Sequence, residues 1–135
     1  YHTITVGPID MSAVGASTLS FDYQSVGYES SDNIGFLVVT NGASVPNLDV
    51  DDSSLVQLQK DTAGQWLTID FAVGADVTSA TLVLAAKQNG GSDYAGFDNV
   101  TVVSAVEGIA ARVCDNVNST CQATGALGAP DGAGA

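Results

Sequence analysis

Apolar and polar residues alternate along several short segments of this chain, and signals for helices are nearly absent. Leu19, Phe21 and Tyr23 alternate with polar residues, and residues 66–73 repeat the pattern. Strict alternation is typical of a half-buried β-strand. The chain therefore predicts seven strands, at 3–6, 19–24, 34–40, 55–60, 67–73, 78–86 and 94–102. Seven short strands separated by turn residues indicate an all-β sandwich of two antiparallel sheets.

Two of the predicted strands are apolar on both faces. Ile34–Thr40 and Thr81–Ala86 place large apolar residues at successive positions. A strand in a simple two-sheet sandwich buries one face only, so the second face of each strand needs a cover. We expect that cover to be the segment 105–135 or another subunit.

The alternation breaks inside the last predicted strand. Phe97 shares a face with Asn99, whereas Val100 and Val102 lie on the opposite face. If Phe97, Val100 and Val102 all face the core, one extra residue must be absorbed near Asp98 and Asn99. The sequence therefore predicts a β-bulge there, and a bulge bends a strand and redirects a side chain.

The hydrophobic pattern and the composition of the chain change after Ser104. Residues 105–135 have no clear period and end in a run rich in Gly and Ala. We expect a sandwich domain at 1–104 followed by an extension at 105–135. Cys114 and Cys121 lie seven positions apart in the extension, and in an oxidising compartment they can close a small disulfide loop.

The charge of the chain is strongly negative. Fifteen acidic and three basic residues give a formal net charge of -12. A nucleic-acid partner is excluded on this basis, because no cationic surface is present to neutralise phosphates. No apolar run is long enough for insertion into a membrane. Asn99 and Asn118 begin glycosylation sequons, and together with the cysteine pair they favour a secreted or cell-surface protein.

Three stretches carry a family resemblance. They are STLSFDYQSVGYESSDNIGFLVVT from Ser17, GQWLTIDFAV from Gly64, and GSDYAGFDNVTVV from Gly91. They resemble the extracellular jelly-roll β-sandwiches of the MAM-like and galactose-binding-like group, which includes carbohydrate-binding modules. The resemblance covers about residues 1–104. It implies a jelly-roll sandwich with an adhesive, carbohydrate-binding or structural role.

A structural calcium site is one chemical hypothesis. Hard cations prefer carboxylate and carbonyl oxygens, and Glu29 and Asp32 lie in one predicted loop. The family resemblance adds Asp98, because such jelly rolls often hold calcium with an acidic residue of the last strand. A second acidic run lies at 49–53. The alternative is that these groups are solvated turn formers and that Asp98 accepts backbone hydrogen bonds at the bulge.

Sugar binding would need exposed aromatic rings beside amide and carboxylate groups. Tyr23, Tyr28, Trp66 and Tyr94 are the candidates, and Tyr28 and Tyr94 lie in predicted loops or turns, where exposure is common. The alternative is that these rings pack against the sandwich. We expect no enzymatic activity, because His2 is the only histidine and no nucleophile motif is present.

Two functions follow as hypotheses. The first is a non-enzymatic extracellular subunit that associates with copies of itself in a filament, sheath or surface layer, through strand pairing by Tyr1–Val6 and through the extension. The second is a calcium-dependent carbohydrate-binding or adhesion module of a secreted protein. One sandwich fold supports both roles, so the fold alone does not choose between them.

Overall fold

The computed structural model describes residues 1–104, which form seven β-strands and contain no helix. The strands are β1 (His2–Asp10), β2 (Ser17–Val26), β3 (Asn33–Thr40), β4 (Val56–Gln57), β5 (Leu67–Val73), β6 (Ser79–Lys87) and β7 (Tyr94–Ser104). Each predicted strand is present, although β1 continues past Gly7-Pro8 and β4 is shorter than predicted. No helix in this part of the chain is long and apolar enough to cross a membrane.

The strands form two antiparallel sheets. One sheet has the order β1-β6-β3-β4 and the other has the order β5-β2-β7. Among the strands of residues 1–104, only β3 and β4 are successive in the chain and lie in the same sheet. Every other connection between these strands crosses from one sheet to the other. This architecture confirms the predicted all-β sandwich and is compatible with a jelly-roll-like fold.

The main core lies between the two sheets and contains most of the aromatic side chains. Phe21 of β2 meets Phe36 of β3 edge to face, with ring centroids 5.2 Å apart. Phe36 meets Phe71 of β5 in the same manner at 5.9 Å. Edge-to-face pairs at these distances add stability beyond the burial of area. From Leu19 to Gln24, inward apolar residues of β2 alternate with outward polar residues, as the sequence predicts.

The predicted β-bulge in β7 is confirmed. Ser20 pairs with Thr101 and Asp22 pairs with Asp98. An interval of two residues on β2 therefore faces an interval of three residues on β7. Asn99 takes up the extra residue with a φ of 55°, a left-handed conformation that Asn adopts more readily than most residues. Consequently Phe97 packs against the core together with Val100 and Val102.

A segment of the same chain covers the outer face of the β1-β6-β3-β4 sheet. Residues 41–55, which we call the cover segment, place Leu48 and Leu55 against Leu37 of β3 and Val83 of β6, and Tyr1 joins this second cluster. The expectation that residues 105–135 or another subunit must cover this face is therefore wrong. The polar and acidic neighbours of Leu48 favour an exposed loop in the sequence, which is why its burial was not predicted.

The N-terminal strand β1 pairs with β6 of the same chain, at the edge of the four-stranded sheet. His2 to Val6 pair with Ala86 to Leu82 of β6, and an irregularity between Val6 and Ile9 accompanies a cis Gly7-Pro8 peptide bond. The predicted extension at 105–135, with the Cys114–Cys121 disulfide and the Asn118 sequon, lies outside the described residues.

The two clusters lead to a prediction about the cover segment. We expect Leu48→Ala to lower the free energy of unfolding by about 2–5 kcal/mol, because Leu48 is only 6% exposed and its loss leaves a cavity. Val50→Ala is the matched control, since Val50 lies in the same segment and is 82% exposed, and it should change the free energy by about 0.5 kcal/mol or less. Urea unfolding of both variants measures the difference. Equal effects would show that the cover segment does not stabilise the sheet.

Candidate functional site

Two half-exposed aromatic side chains lie on the outer face of the β5-β2-β7 sheet. Trp66 is 49% exposed and Tyr94 is 51% exposed. Gly96 lies two residues after Tyr94 on β7 and pairs with Gln24 of β2. A Cβ atom at Gly96 would lie 3.4 Å from Cη2 of Trp66, so the indole reaches from the start of β5 across β2 to β7. We call Trp66, Tyr94, Gln24 and Gly96 the aromatic platform.

The turn before β5 fixes the position of Trp66. Ser25, which is buried at the end of β2, donates its backbone N–H to Thr62 Oγ1 at 3.0 Å. The N–H groups of Thr62 and Gly64 donate to the Ser25 carbonyl oxygen at 3.2 Å each. Gly64 has a φ of 77°, which the reversal of the chain requires. Thr62 and Gly64 are thereby attached to β2, and the indole of Trp66, two residues after Gly64, is held over the sheet.

A fixed carboxylate lies beside the aromatic platform. Asp22 of β2 accepts a hydrogen bond from Thr68 Oγ1 at 2.6 Å and another from Asn99 Nδ2 at 2.7 Å. These bonds lower the pKa of Asp22, with the Asn99 bond the larger cause and the Thr68 bond the smaller. The bulge thus redirects Asn99 onto Asp22. Asn99 is exposed, as a glycosylation site requires, but its amide nitrogen is engaged by this carboxylate.

Tyr23 and Tyr28 do not contribute to the aromatic platform. Tyr23 is 1% exposed and lies in the main core, so it is not available to a sugar. Tyr28 is buried as well. Its side chain is only 4% exposed, and its hydroxyl donates to Gln88 Oε1 at 2.8 Å. Burial raises the pKa of Tyr28, and the nearby carboxylates of Asp32 and Asp93 raise it further. The predicted exposure of this residue is therefore wrong: the ring anchors the loop between β2 and β3 to the end of β6.

Two loops bring three carboxylates together. One oxygen each from Glu29, Asp32 and Asp93 lies within 4.8 Å of the others. The structure places the predicted pair Glu29 and Asp32 beside Asp93, whereas Asp98 lies on β7 opposite Asp22. We call Glu29, Asp32 and Asp93 the acidic cluster.

The strand pairing explains this convergence. β3 and β6 pair through Asn33 and Lys87, and β2 and β7 pair through Val26 and Tyr94. The loops at 27–32 and 88–93 therefore connect the same two pairs of strands and lie side by side. The sequence shows that Asp93 follows a glycine-rich turn, but only the pairing reveals that this turn meets the loop that carries Asp32.

Hydrogen bonds hold the two buried carboxylates. Asp32 accepts from the N–H of Glu29 at 2.9 Å and from the N–H of Asn89 at 3.1 Å, which joins the two loops. Asp93 accepts from the N–H of Gly90 at 2.8 Å. Within residues 1–104 no lysine or histidine forms a salt bridge with the acidic cluster. Carboxylate oxygens at this spacing are ligands that a hard cation such as Ca²⁺ prefers.

The second acidic run has partners of its own. The amino group of Tyr1 lies 2.6 Å from Asp49 Oδ1, and the Tyr1 hydroxyl donates to Asp52 at 2.7 Å. Asp51 accepts from the N–H of Ser53 at 3.0 Å. The contacts of Asp49 and Asp52 with Tyr1 attach the cover segment to the N-terminus.

A cleft opens between the outer strands β1 and β7. Its volume is about 380 Å³. The residues that line it are His2, Thr3, Ile4, Leu84, Ala86, Gln88, Ala95, Gly96 and Phe97. His2 has no carboxylate beside it among these lining residues, so the cleft does not assemble an acid and base pair.

Comparison with known proteins provides no family assignment. The chain matches no protein-family model, no curated protein and no solved structure.

Proposed function

We propose that this protein is a non-enzymatic, extracellular glycan-binding module that uses the aromatic platform. The observation that carries the proposal is the position of Trp66 and Tyr94, which expose about half of their surfaces on the same outer sheet face. Sugar rings present C–H groups that pack on the face of an aromatic side chain, and their hydroxyls need polar partners nearby.

The surroundings of the rings support the same function. Gln24 lies within the platform, and Asp22 lies two residues before it on the same face of β2. An amide and a carboxylate together offer both donors and acceptors to sugar hydroxyls. Because the turn at Thr62 and the bulge at Asn99 fix these groups, little ordering is needed when a ligand binds. The resemblance to the MAM-like and galactose-binding-like sandwiches is consistent with this proposal.

The first test is retention of the purified chain on insoluble cellulose, chitin and xylan. We expect retention on at least one of them, and we expect Trp66→Ala and Tyr94→Ala each to weaken it at least tenfold, about 1.4 kcal/mol, because each removes a stacking surface. Val103→Ala is the control, since Val103 is an exposed apolar residue farther along β7, and its retention should be unchanged. Retention that survives the loss of both rings would contradict the proposal.

We also propose that the acidic cluster binds calcium. Asp32 and Asp93 are buried close to a third carboxylate, and within residues 1–104 no lysine or histidine pairs with them. A divalent cation would offset the repulsion between them. Asp93 directly precedes Tyr94, so a cation there would also stabilise the loop that leads into the aromatic platform.

Calcium should then stabilise the folded chain. A ligand at 100 times its Kd adds about 2.7 kcal/mol, so calcium should raise the unfolding temperature by several degrees relative to a chelator. Asp93→Asn should abolish the increase, and Asp76→Asn, in the exposed loop between β5 and β6, should retain it. Identical unfolding curves in calcium and chelator would refute the site.

Self-association is a second candidate function, and the free strand edges support it. β1 and β7 are outer strands of 9 and 11 residues, and within the described chain each pairs with a strand on one side only. An unpaired edge can accept a strand from another copy. Against this, the irregularity at Gly7-Pro8 and the bulge at Asn99 interrupt the two edges, and the cover segment removes one reason for a partner.

Light scattering of the full chain tests this candidate. Association through β1 predicts particles whose mass is a multiple of the 13.6 kDa mass of one chain. Ile4→Lys should reduce them to monomers, because a charge on an exposed edge residue opposes pairing. Val50→Lys adds the same charge to the cover segment and should leave the particles unchanged. A monomer for the unaltered chain would exclude self-association.

A further inference from the structure

The sheet face that carries the aromatic platform is acidic. Three carboxylates point outward from it, one from each strand: Asp70 from β5, Asp22 from β2 and Asp98 from β7. The two lysines of residues 1–104 are engaged elsewhere. Lys60 donates to the Ser30 carbonyl oxygen, and Lys87 lies over the ring of Tyr1. The described part of this face therefore presents negative charge with no cationic side chain to balance it.

Asp22 is the carboxylate closest to the platform along β2. It lies two residues from Gln24, a separation of about 7 Å along a strand. Its two hydrogen bonds come from Thr68 on β5 and Asn99 on β7, so both neighbouring strands fix its position. Both donors favour the ionised form and lower the pKa of Asp22. A negative charge is thus held in one place beside the stacking surface.

We propose that the glycan bound at the aromatic platform carries positively charged amino groups, as a polymer of glucosamine does. This inference rests on the proposed glycan-binding function and specifies its ligand class. A sugar ring packs on Trp66 and Tyr94, and the ammonium group of a neighbouring sugar unit meets Asp22. A hydrogen bond between charged groups is roughly twice as strong as one between neutral groups.

The same charges disfavour other glycans. Sugars with sulfate or carboxylate groups would be repelled by Asp22, Asp70 and Asp98, and like-charge contacts are an effective means of rejecting a wrong partner. Neutral sugars would retain the stacking contacts but would lack the charge-assisted bond. The expected order of affinity is amine-bearing, then neutral, then anionic glycans.

Isothermal titration of the full chain with defined hexamers tests this order. The probes are hexamers of glucosamine, N-acetylglucosamine and glucose, in mildly acidic buffer that keeps both the amines and the carboxylates charged. We expect the glucosamine hexamer to bind about tenfold more tightly than either neutral hexamer. This preference should shrink at high salt, because the charges lie at the surface.

Two matched variants separate local recognition from the overall charge of the chain. Asp22→Asn removes one charge at the platform and should remove most of the preference, because binding of the glucosamine hexamer should weaken far more than binding of the neutral hexamers. Asp76→Asn removes one charge from the loop between β5 and β6, outside the platform, and should keep the preference. If Asp22→Asn fails to fold, Asp98→Asn, which lies opposite Asp22 on β7, should lower the preference instead.

The outcomes distinguish the two proposals. If no hexamer binds and the chain is not retained on cellulose, chitin or xylan, the glycan-binding function itself is refuted. If no hexamer binds but the chain is retained on one of these polymers, the glycan-binding function stands and the preference for amino groups is overturned. If all three hexamers bind equally, or if Asp76→Asn lowers the preference as much as Asp22→Asn does, the glycan-binding function stands and the preference for amino groups is overturned.

Discussion

The packing of Phe21 between the two sheets is the contact on which the rest of the structure depends. Its ring meets Phe36 of the opposite sheet at 5.2 Å and Phe97 of its own sheet at 6.3 Å. Because side chains alternate along a strand, an inward Phe21 obliges its neighbour Asp22 to face outward. A shift of one residue would reverse every side chain of β2, so the burial of this ring sets the register of both β2 and the platform.

The core and the outer face are therefore linked through the bulge in β7. Phe97 can pack on Phe21 while Val100 and Val102 also face inward only if one residue is absorbed between them. Asn99 absorbs it in a left-handed conformation and presents its amide to Asp22. The irregularity that completes the core thus also orients a polar group on the exposed face. Side chains that strands hold in this way are positioned more precisely than side chains on loops.

The strands, the two-sheet architecture and the bulge follow from local alternation, which reports the burial of successive side chains. The contacts between loops do not follow from local alternation, because they depend on the pairing of strands that are far apart in the chain. The pairing of β3 with β6 and of β2 with β7 brings Asp93 beside Asp32, whereas the sequence and the family resemblance predict Asp98 in this cluster. The burial of Tyr28 and of Leu48 does not follow from the sequence for a related reason, because both residues have polar neighbours that are typical of an exposed loop.

The length of β7 has a mechanical consequence. Tyr94 begins this strand and Ser104 ends it, so the aromatic platform and the continuation of the chain lie at opposite ends of an 11-residue strand. At about 3.3 Å per residue, the separation is roughly 30 Å. A domain anchored to a surface through the platform would act as a rigid spacer. Tension applied beyond Ser104 would run along β7 and load its hydrogen bonds to β2 in shear.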